Sequence, residues 1–351
     1  MKTFKLGWVL MAVALVTLGL AGSAMAFHSS GVAQCAGCHT MHNSQDGVPM
    51  TATPGDYLMK GGDPSSTCLS CHAEYGQMTK DGSGWGSGGD FYWLTKTYSW
   101  SAHGRTSYSY GDSHGHNIIA KDFGLMDPDQ TLSQAPGGSY SSTDFSCASC
   151  HDPHGKEGNV LLLYGTQKPG FTAGAPVLKT LSRRTTVGQS GRVSDTNHVA
   201  YSSGVSNWCA NCHTDFLDSA GMHPVNEQLG STIKNNYNSY VSTGVGGGNP
   251  ATSYWEIVPF ETKEAVDVLD NARTAGPETN SQVMCLSCHR AHATAFQDSG
   301  KWDFTASHLE EESHPLITDT GASQNDVDNK YYGRTFTLEQ RSLCNKCHVQ
   351  D

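Results

Sequence analysis

Basic residues are scarce in this chain: 22 Lys and Arg stand against 33 Asp and Glu, for a formal charge of −11. Nucleic acid needs the opposite balance to neutralise its phosphates, so it is excluded as a natural partner. Long apolar runs are also missing beyond the first 26 residues, and nothing downstream is apolar enough to span a bilayer. Hydrophobic residues make up 37% of the chain, part of that share lying near its start, which leaves a conventional core thin. Once a single recurring motif has been counted, no cysteine is left over. That removes disulfides, separate zinc sites and a lipid anchor on cysteine.

The motif is Cys-x-x-Cys-His, found six times: Cys35-Cys38-His39, Cys68-Cys71-His72, Cys147-Cys150-His151, Cys209-Cys212-His213, Cys285-Cys288-His289 and Cys344-Cys347-His348. These are sites one to six. Two thiols at this spacing add across the two vinyl groups of one haem, and the following histidine binds its iron from one side. Zinc ribbons mix Cys and His at varied spacings, and thiol redox pairs need no trailing histidine. Six motifs using all 12 cysteines therefore predict six covalently bound c-type haems.

Met1 to Ala26 carries Lys2 and Lys5, an apolar run from Leu6 to Leu20 and the small-residue ending Ala24-Met25-Ala26. It reads as a cleaved secretory signal peptide rather than a membrane anchor. Residues 27–351 then form a single hexahaem domain with 20 Lys and Arg against 33 Asp and Glu, a charge of −13. Export suits haem attachment, which bacteria carry out outside the cytoplasmic membrane.

The mature length gives roughly 54 residues to each site, so the macrocycles supply apolar surface that the side chains lack. The expected fold class is a multihaem c-type cytochrome, mostly irregular coil and turns with short helices and little or no sheet, its core formed by six closely packed haems. Glycine clusters such as 82–89 and 244–248 read as loops. Helical signals are Thr262 to Asn271 and a capping box at Thr337-Leu338-Glu339-Gln340, opening a turn or two that runs into Cys344. Asn159 to Tyr164 and Ser253 to Phe260 are brief extended candidates without an obvious partner. The aromatic segment from Phe91 to Trp100 is expected to pack on haem faces. Successive first cysteines lie 33, 79, 62, 76 and 59 residues apart, too uneven for a fixed repeat, so the repeated unit reads as the single haem site itself.

Each iron needs a second axial ligand, and 11 of the 17 histidines lie outside the motif positions. A lone spare histidine is ordinarily a solvated surface residue. Three motifs continue as His-x-x-His, adding His42, His154 and His292. Side chains three apart on a turn lie side by side, so the second histidine cannot reach the far face of its own haem and should serve another. His28, His116 and His223 are the next candidates. His103, His114, His198, His308 and His314 are assigned no iron.

The chain also resembles the OmcS-type outer-surface hexahaem cytochromes of metal-reducing bacteria, which polymerise into extracellular filaments. The resemblance is carried by Phe27-His28-Ser29 leading into residues 35–44, by Gly89-Asp90-Phe91 with Lys96-Thr97-Tyr98, and by Gly115-His116-Asn117. It continues through residues 149–156, 208–215 and 285–293, and closes with Tyr331-Tyr332-Gly333-Arg334-Thr335 and Cys344-Asn345-Lys346-Cys347-His348. It implies bis-histidine ligation at every site, with His28, His42, His116, His154, His223 and His292 as distal ligands. It further implies that His42 binds the Cys285/Cys288 haem of a neighbouring subunit. The resulting homopolymer would take electrons from periplasmic or outer-membrane donor cytochromes and pass them to extracellular acceptors such as metal oxides or other cells. No membrane anchor is expected.

Two other readings share the motifs. A monomeric periplasmic electron shuttle differs only in assembly. A multihaem reductase needs one iron with an open face, and its common sign, lysine in place of a motif histidine, is missing at all six sites.

Overall fold

The structure is a computed structural model and describes residues 35–51, 56–72, 87–125, 132–155, 161–180, 193–218 and 223–349. The expected signal peptide and His28 lie outside the described residues, as does most of the first glycine cluster.

Glycine-rich, weakly apolar sequence cannot sustain long elements. Among the described residues the longest helices are Gly230–Ser239 and Pro64–His72, and none is long and apolar enough to cross a membrane. Among the described residues, sheet is confined to four two-stranded antiparallel pairs. The best formed joins Tyr98–Ala102 to Arg105–Ser109. Its two-residue turn, His103-Gly104, holds both residues at positive φ, 51° and 75°, the geometry that matches the twist of a hairpin. This pairing takes up part of the aromatic segment.

The expected helix over Thr262 to Asn271 does not form. Its first donors are spent elsewhere, Thr262 N–H on the Tyr201 carbonyl and Lys263 N–H on the Ser202 carbonyl, each at 3.0 Å. Lys263 takes φ 62°, which ends any helical path. Thr337 to Gln340 makes one turn, Gln340 N–H donating to the Thr337 carbonyl, and a separate 3-10 helix, Leu343–Lys346, carries Cys344. Ser253 to Phe260 is a buried turn rather than a strand, since Val258 N–H bonds back to the Trp255 carbonyl. Of residues 161–164, Leu163 makes a single bridge to His151.

Aromatic residues supply half of the main buried cluster. Trp93, Tyr98, Tyr237, Trp302, Leu309 and Leu343 belong to one buried cluster, and Cys147, Cys288, Cys344 and Cys347 pack against it. Two of the buried hydroxyls are spent on backbone: Tyr237 donates to the Val258 carbonyl at 2.8 Å and Tyr331 to that of Leu309 at 3.0 Å. Tyr332 donates to the Ala293 carbonyl and accepts from Trp93 Nε1 and Asp90 N–H. The scaffold thus grips the 291–293 stretch, which holds one of the candidate ligands.

Candidate haem centres

Each motif folds as a short helical turn. The histidine N–H donates to the carbonyl of the first cysteine at 2.9 to 3.1 Å in sites one, three, four, five and six, and His72 ends the helix Pro64–His72. One turn brings positions i, i+3 and i+4 to the same side, so two thiols and one imidazole address one ligand. None of the 12 cysteines forms a disulfide.

The sites follow one another in space in their sequence order. Cys38 interacts electrostatically with Cys71, Cys150 with Cys212, and Cys288 with Cys344 and Cys347. Two junctions are tighter, because the sulfurs of Cys68 and Cys147 lie against one another, as do those of Cys209 and Cys285. Both are built alike. Cys147 N–H donates to Ser65 Oγ and Cys285 N–H to Ser206 Oγ, each at 3.1 Å, the serine standing three residues before its own first cysteine. The receiving motifs also match, with Ser149 and Ser287 accepting from the residue before the first cysteine.

The structure therefore corrects the reading of the spacings. The repeated unit is a pair of sites, two with three and four with five. The gaps 79, 62, 76 and 59 alternate long and short with that pairing, and His-x-x-His recurs at the odd sites. That alternation was visible in the sequence and is the signal that a single-site repeat conceals.

Among the described residues, six motif or candidate imidazoles share one kind of anchor, which His114 and His198 also use. Nδ1 of His39, His116, His151, His213, His289 and His292 meets the backbone carbonyl of Tyr57, Ala291, Leu161, Pro136, Asp298 and Gly89, at 2.6 to 3.0 Å. A carbonyl only accepts, so Nδ1 carries the proton and Nε2 presents its lone pair, the tautomer a metal ligand needs.

Three imidazole pairs face each other across the expected gap. His116 and His213 have ring centroids 6.0 Å apart, His151 and His292 6.3 Å, and His223 and His348 6.0 Å. Two metal–nitrogen bonds of about 2 Å, plus a ring radius at each end, require a separation on the order of 6 Å. The residues present thus fit iron held between two histidines. Glycine makes two of these positions possible. A Cβ on Gly115 would lie 2.1 Å from the His292 carbonyl oxygen, and one on Gly89 2.3 Å from that of Ala293. Phe91 stacks on His292 at 4.7 Å and Phe216 on His213 at 5.6 Å, while Trp93 and Tyr98 go to the protein core.

The remaining candidates stand apart. Among the described residues, neither His42 nor His154 joins such a ring pair, and both are exposed. His289 meets Phe304 edge-on at 5.4 Å instead. The histidines assigned no iron are mostly engaged otherwise. His114 has both ring nitrogens bonded, to Ser109 Oγ and the Trp93 carbonyl, and His198 has both against backbone carbonyls. His314 pairs with Asp319 at 2.6 Å and stacks on Trp100 at 3.7 Å. His308 lies 3.5 Å from Glu312, and His103 forms the hairpin turn.

Cys-x-x-Cys-His motifs in a spatial row, with facing imidazoles and little regular structure, define a multihaem c-type cytochrome. No protein-family model matches the chain. It is 34% identical to the C-type cytochrome OmcS of Geobacter sulfurreducens over an alignment of 444 positions, covering all of both chains. It also matches two solved OmcS structures from that organism. The nanowire structure determined by cryo-EM is 32% identical with a TM-score of 0.75, and the outer membrane cytochrome S filament 33% with 0.76. Each match covers 93% of this chain and 100% of the other. The chain belongs to the OmcS family of c-type cytochromes, whose cofactor is haem.

Proposed function

We propose that the protein carries electrons outside the cell through six bis-histidine c-type haems, as a homopolymer in which sites one to six of successive copies form one continuous row. Covalently held haems supply one-electron exchange between ferric and ferrous iron. The chain's residues fix the tautomer and orientation of six of the imidazoles, keep both faces of each iron occupied, and bring neighbouring sites into contact. Full axial occupancy leaves no place for a substrate, so electron carriage is favoured over a reductase.

One observation supports the full ligand set. His292, from the His-x-x-His of site five, faces His151 of site three, two sites back. The same step applied to site three gives His154 to the iron of His39. Applied to site one, it carries His42 past the start of the row, to the iron of His289 in the preceding copy. His116 and His223 then serve sites four and six, and His28 serves site two. The surface around His42 suits that contact. Met41 and Tyr57 are 77% and 82% exposed, and Leu58 is exposed too, as is Val48 in the small antiparallel pair Ser44–Gln45 with Val48–Pro49. A head-to-tail contact of this kind extends without closing.

The test is His42→Ala in the exported protein, with haem content measured beside negative-stain microscopy. The expected outcome is a full haem complement and loss of filaments. Normal filaments from the variant would sink the intersubunit ligand, and the unsubstituted protein found only as small haem-bearing particles would favour the periplasmic shuttle.

A further inference from the structure

Site five adjoins a group of buried charges that the ligand set leaves unexplained. Arg290, directly after His289, and Lys301 are 2% and 3% exposed. Arg290 Nη1 donates to the Ser87 carbonyl at 2.8 Å and pairs with Glu256 at 3.3 Å, and its guanidinium lies 4.4 Å from the centre of the Tyr332 ring. Its Nε is buried without a hydrogen-bond partner. Three cations, Arg290, Lys301 and Arg334, act on Glu256. Arg334 is taken by Asp195 and Arg290 by Glu256. Among the described residues Lys301 has no ion pair of its own, and Asp90 also feels the Arg290 charge.

Its position is set by the backbone. Lys301 N–H donates to the Cys288 carbonyl at 2.8 Å, so the side chain springs from the segment paired with the second thioether cysteine of site five. Burial and the repulsion of Arg290 lower Lys301 to about 7, against attraction from Glu256 and Cys288. A buried ammonium and a buried unpaired N–H beside it are costly unless an anion meets them. A haem attached at Cys285 and Cys288 brings two carboxylates of its own.

We propose that Lys301 and Arg290 Nε form an anion subsite that receives a carboxylate of the haem at site five, making Lys301 the positioning residue for that haem's edge. The proposal rests on site five carrying haem. By neutralising that carboxylate, the subsite raises the electron affinity of one haem in the row. A free anion such as chloride or phosphate has the same chemistry and must be told apart.

The experiment is a potentiometric titration of the full, haem-loaded protein, after haem per chain has been counted. A count short at site five in the unsubstituted protein defeats the underlying reading separately. Lys301→Met is expected to lower the electron affinity of one haem about tenfold, which is 59 mV for a one-electron couple. Lys301→Arg should keep the original value. Glu256→Gln should move the same wave upward, because it removes a competing negative charge. Six unchanged waves in fully loaded Lys301→Met would overturn the proposal. So would a downward shift in Glu256→Gln, the sign of a purely structural ion cluster, or a wave in the unsubstituted protein that follows chloride or phosphate concentration. If Lys301→Met fails to load haem, Lys301→Arg and Glu256→Gln decide the matter alone.

Discussion

Gly115→Ala should disturb two irons at once, although residue 115 touches neither. The added Cβ would lie 2.1 Å from the His292 carbonyl oxygen and 2.6 Å from Ala293 Cα, both backbone atoms that cannot rotate away. Ordinary contact begins near about 3.5 Å, so the two segments must part by about 1 Å. Overpacking of this kind costs about 1–3 kcal/mol. Parting also breaks the bonds that tie the segments, His116 N–H to the His292 carbonyl at 2.9 Å and His116 Nδ1 to that of Ala291 at 2.6 Å, at about 1 kcal/mol each. The total is about 3–5 kcal/mol, spent at the point where the proposed distal ligands of sites three and four meet. Thioether attachment does not depend on those ligands, so haem content should hold while two irons lose their sixth ligand. Electron paramagnetic resonance should then show high-spin ferric signal from about a third of the haem. A spectrum still wholly low-spin would refute the idea that this backbone contact positions both histidines.

Ser65→Ala and Ser206→Ala each remove the acceptor for a motif N–H in one two-site unit. Each should lower stability by about 1 kcal/mol, read as a shift in denaturant midpoint, and a large cost in only one would contradict the equivalence of the units. Burial pushes the Asp90 carboxyl up to about 8, hydrogen bonds from Tyr92 N–H and the Arg290 charge opposing it. Because the folded value exceeds the unfolded one, its stabilising contribution is complete below about pH 4 and is lost as pH rises towards 8, at up to about 1.4 kcal/mol per unit. Asp90→Asn should flatten that slope in melts at pH 5 and 8, and an unchanged slope would remove Asp90 as its cause. Bis-histidine ligation predicts low potentials throughout, and a redox titration dominated by high-potential haems would indicate methionine ligands.

The motif residues were legible because covalent haem attachment demands one spacing, and the fold class followed from glycine content and scarce hydrophobics. Side-by-side geometry also led from His289-x-x-His292 to the expectation of a second haem, and His292 does face a histidine of another site. What was not legible depended on where backbone donors go. Thr262 to Asn271 has helical composition, yet the strand Ala200–Ser203, some 60 residues earlier, takes its first N–H groups. The pairing of sites rests on Ser65 and Ser206, and a serine three residues before a cysteine has no meaning until the partner motif is in place. The role of Gly115 likewise needs the distant 291–293 stretch beside it.

The facing histidines bear on how the chain closes. His116 and His213 are 97 residues apart in sequence, His223 and His348 are 125, and His151 and His292 are 141. Held through a shared iron, each pair is a cross-link around a loop of that length. By the chain-entropy measure used for disulfides, such a link is worth about 4–5 kcal/mol against the unfolded state. On the proposed ligation, a chain with no disulfide and no helix above ten residues among those described gains long-range staples that exist only after its metal arrives. Maturation and folding then become a single event, and chains that miss a haem should be the ones left open to proteolysis.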